Sequence, residues 1–155
     1  MKSLLVLVGL LIGCGPSLGA AYQPTPLTDP NKAIVYLYRP SKFMGGGSTV
    51  FLGVVQNNIG WSLELHNGGY IAYLADPGPI VVTGANLGDN TAAGFAVEAR
   101  REYFVRVTVD SLEITQIPPE VGSVEIRECR ADGGTPKRIS TSTHATNAVA
   151  QTEAR

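Results

Sequence analysis

The sequence contains little of what catalytic and metal sites are commonly built from. Its 155 residues include two cysteines, two histidines and one tryptophan, and only 16% of them are charged, against about 25% in typical proteins. His66 and His144 have no cluster of Cys, His, Asp or Glu around either of them in the sequence. This scarcity argues against a metal site, and we predict no metal and no cofactor.

Charge of either sign is too sparse to attract an oppositely charged macromolecule. The chain carries 12 basic and 13 acidic side chains, with a formal net charge of −1. No basic field is therefore available for nucleic acid, which proteins hold through clustered lysine and arginine. We predict no nucleic-acid partner.

The apolar run near the start of the chain is too short to span a membrane. Residues 4–12 are apolar behind Lys2, and Gly15-Pro16-Ser17 follows soon after, whereas a spanning helix needs about 20 apolar residues. A short apolar run behind a positive charge is typical of a secretory signal. Its last residues, Leu11-Ile12-Gly13-Cys14, resemble the lipobox of bacterial lipoproteins. The resemblance implies cleavage between Gly13 and Cys14, and lipid attachment to Cys14.

Lipid on Cys14 predicts a protein that is anchored to the cell envelope without spanning the membrane. The resemblance implies a thioether-linked diacylglycerol and an acylated amine, and two or three chains hold a protein far more firmly than one. The residue after the cysteine is Gly15 and not Asp. If the source is Gram-negative, the resemblance to lipoproteins then implies a location in the outer membrane, facing the periplasm. The alternative is a signal without lipidation that is cleaved after Ala21, with Gly19 and Ala21 as its small residues.

Composition divides the chain into four parts. Residues 1–13 are the predicted signal peptide. Pro24, Pro26 and Pro30 interrupt residues 14–32, which predicts a flexible tether behind the lipidated cysteine. Residues 131–155 are rich in small polar side chains and show no periodicity, which predicts a disordered tail. Residues 33–130 are left as the one predicted domain.

The predicted domain consists of short runs of β-branched and aromatic residues between turn signals. Residues 33–39 are apolar on both faces, which predicts a central strand. Ile59–Leu65 alternates between apolar and polar or small residues, which predicts a half-buried strand. The predicted strands lie at 33–39, 50–56, 59–65, 70–75, 80–85, 94–99, 102–109, 112–117 and 124–129. We predict an all-β fold, an antiparallel sandwich of about eight short strands of the immunoglobulin or transthyretin type.

Turn residues and alternation add local predictions within this fold. Asn57-Asn58 predicts a tight turn, because Asn tolerates positive φ, and Asn67-Gly68-Gly69 predicts a hairpin turn. Several alanines in residues 91–101 raise helix propensity, but apolar residues at every second position favour a strand. The same alternation predicts that Phe104 faces outward and that Val124 faces inward.

A catalytic role is not predicted. If Cys14 is acylated, Cys129 has no partner within the chain. We expect Cys129 to be a partly buried thiol at a strand end, and an intermolecular disulfide is the alternative. Ser62, His66 and Asp76 could be combined into a triad, but no nucleophile elbow surrounds them. The composition therefore favours a binding or scaffolding module over an enzyme.

Two groups of residues are candidates for binding. Residues 39–47 combine Arg39, Lys42, Phe43 and Met44 with three glycines, a loop that could contact lipid headgroups or a protein. The alternative is an ordinary hairpin loop with a tucked phenylalanine. The second group is aromatic, and we expect it to pack between two sheets, with a sugar- or peptide-binding platform as the alternative. It comprises Tyr36, Tyr38, Trp61, Tyr70, Tyr73 and Tyr103.

Short motifs spread over residues 33–127 add a resemblance to a family. They are Tyr36-Leu37-Tyr38-Arg39-Pro40, Ile59-Gly60, Asn67-Gly68-Gly69-Tyr70, Leu74-Ala75-Asp76-Pro77-Gly78 and Glu102-Tyr103-Phe104-Val105-Arg106. Together they resemble a group of small bacterial lipoproteins of unknown function. The resemblance implies an exported β-sandwich and no particular activity.

The sequence thus predicts a lipid-anchored envelope protein that binds or scaffolds an envelope protein partner. One alternative is an envelope hydrolase acting on cell-wall or lipid substrates. Another is a lipoprotein component of a secretion apparatus.

Overall fold

Two five-stranded sheets make up most of the part of the chain that the structure describes. The computed structural model describes residues 18–42, 47–87, 91–134 and 136–139. The strands are β1 Ala33–Tyr38, β2 Val50–Gln56, β3 Ile59–Leu65, β4 Gly69–Ala75, β5 Gly78–Gly84, β6 Ala92–Val97, β7 Glu102–Thr108, β8 Glu113–Ile117, β9 Arg130–Ala131 and β10 Lys137–Ile139. The helix α1 spans Pro119–Glu125 and continues into a 3₁₀ turn at Ile126–Glu128. The predicted all-β sandwich is confirmed.

The strand order shows where the sheets depart from a purely antiparallel arrangement. The first sheet has the order β8-β7-β1-β4-β9, and the second sheet has the order β10-β3-β2-β5-β6. Six of the eight strand pairs in the described residues are antiparallel, and the pairs β1–β7 and β4–β9 are parallel. Parallel neighbours need long connections. The connection between β1 and β7 supplies one, because it includes β2, β3, β5 and β6 of the other sheet and β4.

The strand β1 is the centre of the first sheet, as its sequence predicts. It lies between β4 and β7, and all six of its residues are buried. Its odd-numbered residues, such as Val35 and Leu37, enter a core between the two sheets. Its even-numbered residues, such as Tyr36, enter a second cluster on the outer face of the first sheet. Two covered faces explain why this strand reads as a continuous apolar run.

The helix α1 covers the outer face of the first sheet and replaces a predicted strand. The prediction of a strand at 124–129 is wrong, and Val124 is 58% exposed instead of facing inward. The helix begins at Pro119, whose fixed φ suits a first helical position. Phe104 does face outward, as predicted, but α1 buries it to 1% exposure. No helix among the described residues is long and apolar enough to cross a bilayer.

The structure confirms two of the local predictions, one turn and one strand, and corrects a third. Asn57 and Asn58 adopt φ values of 52° and 59° in the two-residue connection between β2 and β3. The segment at 91–101 contains β6, so the strand preference there is confirmed. Gly68 turns the chain with a φ of 72°. However, β3 and β4 belong to different sheets, so the predicted hairpin at Asn67-Gly68-Gly69 is wrong and the turn is a corner between sheets.

Segments on both sides of the predicted domain belong to the fold. The backbone N–H of Gly19 donates to the carbonyl oxygen of Ala131 at 2.7 Å, and that of Tyr22 donates to Cys129 at 3.0 Å. Beyond residue 130, β9 pairs with β4 and β10 pairs with β3. The predicted tether and tail are therefore wrong for these stretches, because backbone hydrogen bonds order polar, proline-rich segments that carry no periodicity. Residues 14–17 and 140–155 lie outside the described residues.

The thiol of Cys129 is more deeply buried than the sequence predicts. Its exposure is 0%, and its Sγ lies 3.7 Å from the carbonyl oxygen of Arg39. Burial, together with the nearby carboxylates of Glu128 and Glu125, raises the pKa of the thiol to about 12. A neutral, enclosed thiol behaves as a small apolar side chain. This burial argues against the intermolecular disulfide.

Candidate binding groove

The predicted binding loop starts with an arginine that is buried in the protein. Arg39 is 3% exposed, and its Nη1 donates to the carbonyl oxygen of Ser48 at 2.6 Å. Its Nη2 is 3.3 Å from the hydroxyl of the same serine. Burial lowers the pKa of the Arg39 guanidinium, which nevertheless stays charged. Arg39 therefore ties the two ends of the loop together, and the expectation that it presents an exposed contact is wrong.

Lys42 is fastened to its surroundings by both its backbone and its side chain. Its Nζ lies 2.7 Å from Oδ2 of Asp110, and its N–H donates to Oδ1 of Asn67 at 3.0 Å. The amide of Asn67 in turn donates to the carbonyl oxygen of Lys42 at 2.9 Å. The other two predicted contacts, Phe43 and Met44, lie outside the described residues.

A charged cleft of about 580 Å³ lies beside this loop. Several of its charges are paired within the protein: Arg106 contacts Glu125 at 2.9 Å, and the hydroxyl of Tyr38 donates to the same carboxylate at 2.6 Å. Burial and this hydrogen bond raise the pKa of Tyr38. A lining that mixes charges of both signs, several of them already paired, does not select one class of ligand, so we assign no ligand to this cleft.

The catalytic trio drawn from the sequence is not assembled. Both carboxylate oxygens of Asp132 lie within 3.1 Å of Nδ1 of His66, and one of them also accepts the backbone N–H of His66 at 2.7 Å. Asp76 lies beyond the far end of β4 and contacts Lys32 instead. Among the described residues, no group of three or more His, Cys, Asp and Glu side chains is placed to hold a metal ion.

The six predicted aromatics are divided among three places, and three of them do not lie between the sheets. Tyr36, Tyr38 and Tyr70 belong to the outer cluster, where Tyr22 meets Tyr36 edge-on at a centroid distance of 5.5 Å. The expectation that the aromatics pack between the sheets is wrong for these three, because α1 and residues 19–27 cover the outer face.

The other three predicted aromatics pack against the core between the sheets, as expected. Tyr103 lies beside Phe95 at a centroid distance of 5.9 Å. Trp61 and Tyr73 share an open groove between the two sheets. Of the six, these last two are therefore the pair available to a ligand.

This second cleft, the β3–β4 groove, is the most promising binding site in the described residues. It has a volume of about 550 Å³ and is lined by Lys32, Gln56, Asn57, Ile59, Trp61, Ala72, Tyr73, Leu74, Asp76 and Pro136. Ile59 is 36% exposed and Leu74 is 47% exposed. The ion pair between Lys32 Nζ and Asp76 Oδ1, at 2.6 Å, closes one end. Apolar and aromatic residues make up the larger part of its lining, beside polar groups at Lys32, Gln56, Asn57 and Asp76, and such a combination is typical of ligand sites.

The groove opens on one side of the sandwich. On the opposite side the sheets are joined near β6 and β8, where the hydroxyl of Thr91 donates to the carbonyl oxygen of Leu112 at 3.0 Å. On the groove side, β9 covers only Gly69 and Tyr70 of β4. The remaining edge of β4 faces the groove without a neighbouring strand in the described residues. The site therefore combines exposed apolar side chains with an open strand edge.

Comparisons with known proteins add no assignment to this site. No protein-family model, no curated protein sequence and no solved structure matches the chain. The resemblance to small bacterial lipoproteins thus stays a prediction. The groove itself was missed from the sequence, because it depends on which strands end up at the sheet edges, and alternation along a strand does not reveal its neighbours.

Proposed function

We propose that this protein is a lipid-anchored module of the cell envelope that binds a protein partner through the β3–β4 groove. The observation that supports it is the coincidence of exposed Ile59 and Leu74 with Trp61 and Tyr73 along an open strand edge. Apolar and aromatic side chains supply most of the binding energy at protein interfaces. A scaffold that presents them on rigid strands positions them well for binding.

The anchoring half of the proposal rests on Leu11-Ile12-Gly13-Cys14 and on a fold that begins soon after it. Gly19 is already hydrogen-bonded to the domain through Ala131. Gly19 is five positions after Cys14 in the sequence, and an extended chain covers about 3.5 Å per position. A lipid on Cys14 would therefore hold the domain within about 18 Å of the membrane surface, closer than a tether reaching to residue 32 would allow.

Crosslinking and membrane fractionation of intact cells test the binding site and the lipid anchor. A photoreactive amino acid replaces Leu74 in the full chain, and crosslinked products are identified by mass spectrometry. We expect one protein of the envelope to be recovered reproducibly. Ile59→Ser should reduce the yield at least about fivefold, because it removes an apolar side chain from the groove. Cys14→Ser should move the protein from the membrane fraction to the soluble fraction.

The control is Val121→Ser on α1, outside the groove. Val121 is 44% exposed, so this change removes a similar apolar surface and should leave the yield unchanged. Equal yields from the Ile59→Ser and Val121→Ser variants would contradict the binding site. An unmodified Cys14 in the membrane fraction would contradict the anchor.

A further inference from the structure

We propose that the partner binds as an extended segment that adds a strand to the open edge of β4. This inference rests on the proposed function of the β3–β4 groove and names the chemistry of its ligand. The ligand is a stretch of polypeptide with apolar side chains at every second position. Its backbone bonds to Ala72 and Leu74, and its apolar side chains enter the groove.

The direction of the backbone groups in β4 carries the argument. The N–H of Arg39 donates to the carbonyl oxygen of Gly69. The odd-numbered residues of β4 therefore direct their backbone N–H and C=O groups toward β1. The carbonyl oxygen of Tyr70 accepts from the N–H of Asp132, on the β9 side. Successive residues of a strand point their N–H and C=O groups to opposite edges. Ala72 and Leu74 therefore direct two donors and two acceptors toward the open edge.

The open edge has a defined length. It starts beyond Tyr70, where β9 ends its pairing, and it stops at the Lys32–Asp76 ion pair. The N–H and carbonyl oxygen of Asp76 are already bonded to the side chain of Gln56, at 2.9 Å and 2.6 Å. The edge thus admits an added strand of about five residues, a usual strand length. Strand addition to an exposed sheet edge is a recurring mode of peptide recognition.

The groove sets the side-chain pattern of the added strand. Tyr73 points toward the core between the sheets, on the same side as Trp61. A strand placed beside β4 alternates its side chains between this side and the outer face. Residues on the inner side meet Ile59, Trp61 and Tyr73, which favours apolar side chains. The backbone dipoles of β4 and of the added strand supply the electrostatic complementarity. Because Lys32 and Asp76 are already paired with each other, the ligand needs no net charge.

The test uses seven-residue peptides selected from a random phage-displayed library against the purified full chain. We expect the selected peptides to alternate apolar and polar residues. Ala72→Pro and Leu74→Pro should each weaken binding about tenfold, because each removes one outward N–H. Proline is tolerated at edge positions whose N–H faces solvent, and thermal unfolding verifies the fold of each variant. The matched control is Gln116→Pro on β8, the other edge of the same sheet, whose N–H also points away from its neighbouring strand.

N-methylation of the peptide tests the same hydrogen bonds without altering the protein. Methyl groups on the amides of one alternate set should abolish binding, and those on the other set should be tolerated. Binding that is indifferent to both the prolines and the methyl groups would overturn strand addition. Failure to select any peptide, or self-association of the chain through this edge, would overturn it too. If Ile59→Ser still weakens the peptides while the prolines do not, the groove binds through side chains only and the proposed function survives.

Discussion

Replacement of Asp132 by alanine is expected to destabilise the folded protein by roughly 3 kcal/mol. The side chain of Asp132 is 4% exposed, and one oxygen accepts the backbone N–H of His66 at 2.7 Å. Alanine would leave that N–H and the imidazole of His66 without their partner, and a buried donor that loses its acceptor costs about 1–3 kcal/mol. The contact also holds β9 to the turn between the two sheets. Urea denaturation of the purified protein measures the loss.

Asp110 provides the matched control for this carboxylate. It accepts from Lys42 at a similar distance, 2.7 Å, but its side chain is 59% exposed. Because water replaces a lost partner at the surface, Asp110→Ala should leave the free energy of unfolding almost unchanged. Asp132→Asn should fall between the two, since its amide oxygen can still accept the His66 N–H. Equal effects of Asp132→Ala and Asp110→Ala would show that the His66–Asp132 contact does not hold the corner.

Gly122→Ala is expected to destabilise the protein by about 2 kcal/mol, although alanine is the better helix former. A Cβ at position 122 would lie 2.4 Å from Cβ of Phe104 and 2.5 Å from its Cγ. These atoms are close to the backbone of β7 and cannot swing away. Overpacking of this kind costs about 1–3 kcal/mol, against a gain of about 1 kcal/mol in helix propensity. The close approach of α1 to β7 therefore depends on this glycine.

The control for Gly122 is a glycine with open space around it. A Cβ at Gly133 would meet no atom within 4 Å, so Gly133→Ala should be neutral or slightly stabilising through the unfolded state. Urea midpoints of the two variants give the comparison. A stability of Gly122→Ala at or above that of the parent would mean that α1 does not pack on Phe104 as described.

Much of the fold could be predicted because short-range pattern decides it. The central position of β1 follows from its two apolar faces, and the turn at Asn57-Asn58 follows from residues that tolerate positive φ. The strand predicted at 124–129 failed because Val124 and Ile126 alternate like strand residues, whereas Pro118-Pro119 and the glycine at 122 decide the outcome through helix initiation and close packing. Alternation over four residues does not separate these cases.

The ends of the domain and the binding site could not be predicted, because both depend on long-range pairing. Asp132 stands in a stretch whose composition predicts disorder, yet it is fixed by His66, 66 residues earlier. Ala72 and Leu74 read as ordinary strand residues. Their importance arises only because β9 stops at Tyr70 and leaves the edge open.

Amide hydrogen exchange of the purified protein without a partner tests most directly whether the edge of β4 is open. The N–H groups of Ile71 and Tyr73 bond to β1, whereas those of Ala72 and Leu74 point away from it. We predict that Ile71 and Tyr73 exchange at least about a hundredfold more slowly than Ala72 and Leu74. Equal, strong protection of all four amides would contradict the account, because it would show that this edge is already covered.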